Sequence, residues 1–279
     1  MVPERTGMRF QYCLNTSTIR PVPLLDKIHF AGKARFLAIE LWTDDIDNFL
    51  DKGGSITDIR KALDDNGLKV PTIIALHSWL GTSESEHSLA LTEARRRMDQ
   101  AAEIGASGII ASPALEKCDL SRAGEQYREL IDIGINIGVI PAMEFLGFVD
   151  SVYTISQAWQ IARDADHPEA RIVMDPFHIL RGGGSLEEIL MVPGNRGAIW
   201  HWNDVPKTPP INQQTDGDRV MPGDGVGPLR DIEKLITESG YEGYVSLELF
   251  NDRWWKENPA KTVKIGMEKM QLFFNPPTD

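Results

Sequence analysis

At 279 residues the chain is long enough to bury a sizeable core, and barrels of alternating strands and helices reach this length as one unit, so residues 1–279 are taken as a single domain. Hydrophobic residues at 42% and charged residues at 25% match ordinary globular usage and exclude a disordered or fibrous chain. With 41 Asp and Glu against 29 Lys and Arg, the net charge of -12 repels a phosphate backbone and argues against nucleic acid as a partner.

The opening MVPERTGMRF has no long apolar stretch after its charges, and no run approaches the ~20 residues of a membrane helix, so a cytoplasmic location without membrane contact is expected. The first predicted strand covers roughly 9 to 14 and includes Cys13. Together with Cys118 it makes neither a disulfide framework nor a zinc-site spacing, and both thiols are read as reduced and structural. NTSTIRPVP follows, where a dinucleotide-binding sheet would place a Gly-rich turn. The second strand, about 36 to 42, ends in AIELW; Ser55 and Asp58, ahead of Ile59, Ala62 and Leu63, form a capping-box signal for a helix. Gly67 can supply the positive φ that stops this helix before the third strand, about 71 to 76, which runs into ALHSWL. Leu91, Ala94, Met98, Ala101 and Ala102 then share one helical stripe, leaving Arg95, Arg96 and Arg97 on a solvated face. Gly105 precedes the fourth strand, about 108 to 112, and Gly138 the fifth, about 139 to 145. The sixth and seventh cover about 171 to 175 and 198 to 203; Pro228 is placed as a first-turn proline before Ile232, Leu235 and Ile236, and Gly240 precedes the eighth strand, about 244 to 249.

Val and Ile dominate these strands without clean alternation, as expected where helices cover both faces of a parallel sheet. Eight strands, each followed by a helix, at a mean repeat near ~31 residues, predict an α/β protein built as a single (β/α)8 TIM barrel. GDGVG at 223–227 lacks the preceding strand of a dinucleotide fingerprint, and Gly182, Gly183 and Gly184 lack a following Lys-Ser or Lys-Thr; both read as turns.

Barrel enzymes carry reactive groups at the C-terminal ends of their strands. AMEF ends the fifth strand with Glu144, IVMDPFH the sixth with Asp175, IWHWND the seventh with His201, and VSLELF the eighth with Glu248. Each residue is costly to bury alone, and three carboxylates crowded at one rim repel one another; a divalent cation held by Glu144, Asp175, His201 and Glu248 resolves both problems. Three oxygen donors and one nitrogen suit Mn²⁺, Mg²⁺ or Co²⁺, with Zn²⁺ also within range. Glu40 ends a strand at the same rim, where it can bond a substrate hydroxyl or orient His77 or Arg219. Asp204, three residues after His201, is read as a support for the site. Trp42, Trp79, Trp202, Trp254 and Trp255 can wall a sugar ring, with at least half of them assigned to ordinary packing or a subunit contact. His29, His87 and His167 are placed away from the rim and in solvent.

The segments CLNTST, AMEFLG, VMDPFHILRGG, DGDRVMPGDG and VSLELFNDRWW resemble the xylose isomerase-like barrels, which include sugar isomerases, ketose 3-epimerases and AP endonucleases, and within them the inosose (2-keto-myo-inositol) isomerase branch along nearly the whole barrel. The resemblance implies the same four metal ligands, and it implies that His178 and Arg219 face the substrate. Endonuclease members use additional histidines, whereas the fourth strand here ends in IIASPAL with none. His77 departs from the asparagine of the inosose isomerase pattern and is expected to line the pocket.

The expected activity is isomerisation or epimerisation of a sugar or cyclic polyol ketone. The metal polarises the carbonyl as an enediolate forms, and Glu144 and Glu248 remove and return the proton. Dehydration of a keto-polyol such as inosose or dehydroshikimate uses the same first step, with His77 or His178 as the acid above the leaving hydroxyl. A non-catalytic sugar-binding barrel is the third reading. A small-molecule sugar or polyol is the expected partner, with phosphate disfavoured by the absence of a Gly-rich cradle and homo-oligomer formation left open.

Overall fold

In the computed structural model, which describes residues 10–276, eight parallel strands close into a barrel in chain order. They are β1 (Gln11–Asn15), β2 (Ala38–Trp42), β3 (Ile73–Leu76), β4 (Gly108–Ala111), β5 (Ile140–Met143), β6 (Ile172–Met174), β7 (Gly197–Trp202) and β8 (Tyr244–Leu247). β1 pairs with β8 through Cys13 and Ser246, which closes the ring. The predicted strands are all present, most of them a residue or two shorter; position 9 of the first lies outside the described residues. Helices follow each strand, among them Leu24–Lys33, Ile56–Asn66, Glu84–Ile104, Ala123–Ile137, Ile155–Asp164, Pro176–Gly182, Leu229–Glu238 and Pro259–Phe274. Among the described residues no helix is long and apolar enough to cross a membrane.

The helix boundaries have local causes. Ser55 Oγ accepts from the Asp58 N–H at 3.2 Å while Asp58 accepts from the Ser55 N–H at 3.0 Å, the reciprocal box expected from the sequence. Gly67, Gly105 and Gly138 take φ of 65°, 94° and 92°, where a side chain would be strained, and end their helices. Pro228 stands at the N-cap of Leu229–Glu238, one position before the first turn. On Glu84–Ile104, Ala94, Met98 and Ala101 are buried and Leu91 and Ala102 half-buried, while Arg96 and Arg97 pair with Glu93 and Asp47 on the outer side.

Two apolar layers result. The larger lies between sheet and helices; the smaller fills the barrel and contains Cys13, Ala38, Ile74, Ala75, Ile110, Ala142, Val173 and Ile199. Because strand side chains alternate, the residues two positions further along these strands also face inward. They are Asn15, Glu40, Ser112, Glu144, Asp175 and His201. Small apolar groups thus plug the lower barrel, and a polar layer sits on them at the C-terminal end.

Candidate metal and active site

His201 occupies the fifth position of β7 and has no exposed surface. Its Nε2 lies 3.3 Å from a Glu40 carboxylate oxygen. Its Nδ1 has no hydrogen-bond partner and is aimed at three carboxylates, 3.2 Å from Glu248, 3.8 Å from Asp175 and 3.9 Å from Glu144. Ligand atoms of Asp175, His201 and Glu248 lie within 4.8 Å of one another, a compact set that can hold a metal ion; Glu144 is not part of that set, though it lies 3.9 Å from His201 Nδ1. An orphaned imidazole nitrogen facing carboxylates, with its other nitrogen fixed by a buried carboxylate, is the arrangement a metal-ligating histidine needs. The residues present therefore fit a divalent cation.

Each carboxylate is oriented from behind. Ser112 Oγ donates to Glu144 at 2.7 Å, Asn203 Nδ2 donates to both Asp175 oxygens at 3.1 and 3.2 Å, and Asn15 Nδ2 donates to Glu248 at 2.8 Å. Asp175 also caps Pro176–Gly182, accepting from the Phe177 N–H at 2.7 Å, so the helix start and the rim share one residue. Asn15, Ser112, Ser246 and Asn203 escape a reading that looks for ionisable groups. The period-two alternation would have found Asn15, Ser112 and Ser246, since they share a face with Cys13, Ile110 and Glu248 respectively.

The electrostatics follow from burial and crowding. Burial, with the charges of Glu248 and Asp175, pushes Glu144 up to about 7 against the pull of His201 and Ser112. Asp175 is also buried, yet the charges of Arg219, His178 and His201 outweigh burial and hold it at about 2. Burial alone would depress His201; Glu248 and Glu40 instead raise it well above the usual imidazole range, so the cluster draws positive charge to this point.

Arg219 is 1% exposed and lies over the Phe177 ring, 4.6 Å from its centroid. Its Nη1 donates to Asp175 at 2.9 Å and to Glu248, and its Nη2 donates to Asp216. His178 Nδ1 accepts from the Gly147 N–H at 3.2 Å, and Arg219 Nη2 faces its Nε2 at 3.0 Å. Burial, together with the Arg219 charge, lowers His178 to about 4, which keeps the ring neutral.

A cavity of about 720 Å³ opens above this floor, and His77, His178, Arg219, Glu144 and Glu248 all line it. Glu40 does not. It has no exposed surface, and Thr72 and Ser246 each donate to it at 2.5 Å, so its carboxylate is turned to His201 instead of a substrate, His77 or Arg219. His77 is exposed on the cavity wall, its basicity lowered by partial burial and by Arg97. His87, expected in solvent, is buried: its Nε2 lies 2.5 Å from Glu129 and its Nδ1 3.2 Å from the Trp79 carbonyl, because the face of Glu84–Ile104 that carries it packs on the chain after β3. Of Trp42, Trp79, Trp202, Trp254 and Trp255, only Trp42 lines the cavity; Trp79 and Trp202 are fully buried packing groups. Asp204 supports the loop at 223–227 and not the ligands.

A closed parallel barrel whose rim gathers three carboxylates and an imidazole defines the class of (β/α)8 proteins with a site suited to a divalent cation. The chain belongs to the xylose isomerase-like TIM barrel family, whose model matches residues 28–272. It is 26% identical to an inosose isomerase of Bacillus velezensis over 265 residues, covering 92% of this chain and 94% of that protein. It is 28% identical to a 3-dehydroshikimate dehydratase of Pseudomonas aeruginosa over 240 residues, 82% of this chain but 36% of the dehydratase. Among solved structures, the IOLI protein with a binding zinc atom superposes with a TM-score of 0.88 at 25% identity, covering 94% of this chain and 97% of that one.

Proposed function

We propose that this chain is a divalent-metal-dependent isomerase or epimerase of a sugar or cyclic polyol ketone, with Glu144, Asp175, His201 and Glu248 as metal ligands. The observation that carries the reading is the unpartnered, fully buried His201 Nδ1 facing three carboxylates. The inosose isomerase relative and the zinc-containing structure point the same way. Mn²⁺, Mg²⁺, Co²⁺ and Zn²⁺ all remain within the range of this donor set. When bound, the cation supplies Lewis-acid polarisation of a ketone carbonyl.

The chain's own residues then handle the proton. Glu144 follows β5 and Glu248 follows β8, so the two approach the cavity from different strands. One carboxylate takes the proton from the carbon beside the carbonyl, and the other glutamate, in its acid form, delivers its own proton at the neighbouring carbon or on the opposite face. In the metal-free chain burial and the neighbouring carboxylates push Glu144 up to about 7; with a cation bound, that crowding is offset and the carboxylate form that acts as a base is favoured. The Arg219 guanidinium stabilises the oxygen on which enediolate charge grows, and neutral His178, its Nδ1 held as acceptor by the Gly147 N–H, donates from Nε2 to a substrate oxygen. Glu144→Gln and Glu248→Gln are each expected to slow exchange of substrate carbon-bound hydrogen with deuterated water by about 10²-fold or more, read by NMR. Full-rate exchange in both variants would overturn the assignment.

Dehydration of a keto-polyol is the second reading, favoured by the dehydratase relative and by His77 on the cavity wall, from which it can protonate a departing hydroxyl. Growth of a conjugated-enone absorbance separates it from isomerisation, which yields a rearranged or epimerised ketone without that band.

A further inference from the structure

The cavity is larger and more apolar than a free polyol requires. Its volume of about 720 Å³ lies in the roughly 300–1,000 Å³ range of pockets that take drug-sized ligands, whereas a ketohexose or inosose has about a dozen non-hydrogen atoms. Its buried ionisable groups, Glu144, His178, Arg219 and Glu248, form the floor, while His77, Ser78 and Thr82 stand on the wall after β3. Within the wall built after β3, β4 and β5, Leu80, Leu115, Leu146 and Phe148 contribute the large apolar side chains. Trp42 and Phe250, whose rings meet edge to face at 5.7 Å, extend the apolar lining. A hydroxyl pressed against such a wall loses its water without gaining a partner. Leu115 and Phe148 are nevertheless 68% and 37% exposed in the free chain, apolar surface that a ligand can cover. Glu116 and Lys117 beside Leu115 are both solvated and offer no buried partner for an anionic group.

Resting on the ketone-processing reading of the floor, we propose that the substrate carries an apolar, ring-sized substituent on its sugar or cyclitol ring, seated against Leu80, Leu115, Leu146 and Phe148 while the polar ring occupies the floor. Such a molecule matches both zones: its hydroxyls meet the charged end, and its hydrocarbon covers the exposed wall. The same contacts select against an unsubstituted polyol, which leaves that wall in water.

The test uses the full chain and two probes that cannot be turned over, methyl β-D-glucopyranoside and phenyl β-D-glucopyranoside, titrated by calorimetry and saturation-transfer NMR. The phenyl probe is expected to bind at least about tenfold tighter, and Leu115→Ser with Phe148→Ser to reduce this advantage below about threefold. Should the double variant fail to fold, Leu115→Ser alone replaces a largely exposed side chain and is expected to cut the advantage by about threefold. Equal affinities, or no measurable binding of the phenyl probe, would overturn the proposal. A Leu115→Ser variant that changes the sedimentation of the protein but keeps the phenyl preference would assign the wall to a second copy of the chain, which also overturns it. Because neither probe reacts, this outcome is independent of the hydrogen-exchange test of the proposed function.

Discussion

His201 has two neighbours of different kinds, and its role depends on both. Glu40 beneath it is a fully buried carboxylate whose charge is sustained against burial by His201, Ser246 and Thr72. By fixing Nε2 it leaves Nδ1 as the nitrogen facing the rim. Glu40→Gln is therefore expected to weaken metal binding by about 10–100-fold in competition with a chromogenic chelator, without removing any proposed ligand. Glu144 gives a second expectation at this scale. In the metal-free chain its pKa rises from 4.5 to about 7, so the folded state holds that proton more tightly than the unfolded state. Its stabilising contribution is full below pH 4.5 and is lost as pH rises through about 7. Chelator-treated protein should lose thermal stability between about pH 5 and about pH 8, and Glu144→Gln should flatten that slope. The proposed ligands are legible in the chain because each ionisable group sits inside or just beyond an apolar strand. Glu40 is legible only as a strand-end acid, since its choice of His201 over His77 depends on which strands become neighbours across the barrel.

At the scale of elements, the loop after β7 is held by one side chain. Asp204 accepts from the N–H groups of Gly223 and Gly225 at 3.1 Å each, Gly227 at 2.9 Å and Val205 at 2.8 Å. Gly225 packs so tightly that a Cβ would meet the Val205 carbonyl oxygen at 2.3 Å. The GDGVG run is thus a turn, as its lack of a preceding strand suggests, and its glycines serve close packing on Asp204. The Val220 N–H donates to the Asp204 main-chain carbonyl at 2.9 Å, next to Arg219, so the Asp204 backbone anchors the guanidinium-bearing segment. Asp204→Ala is expected to destabilise the protein by about 1–3 kcal/mol in urea unfolding, because the buried Val205 N–H and the half-buried Gly225 and Gly227 N–H groups lose their acceptor. Helix starts and stops were the most readable features, since capping boxes and positive-φ glycines act within a few residues of themselves. His87 was misplaced for the converse reason: its burial against Trp79 and Glu129 joins segments that are separate in the chain.

For the whole molecule, a cation that binds only the folded barrel adds its binding free energy to stability. Saturation at about 100 times Kd gives about 2.7 kcal/mol, so chelation is expected to lower Tm by about 5 °C in scanning calorimetry, and metal addition to restore it. If residues 1–279 form one domain, the same scan shows a single cooperative transition.

The sequence by itself determined the alternation of strands and helices, their order, and the acids and imidazole at the strand ends, because periodicity, caps and strand termini are local properties of the chain. Only the tertiary structure decided that Glu40 lies beneath His201, that Arg219 clasps Asp175 and Glu248, and that an apolar wall stands opposite the charged floor. Those relations arise only when the ring closes, which sets Glu40 against His201 at a separation of 161 positions and folds the Arg219 segment over the rim.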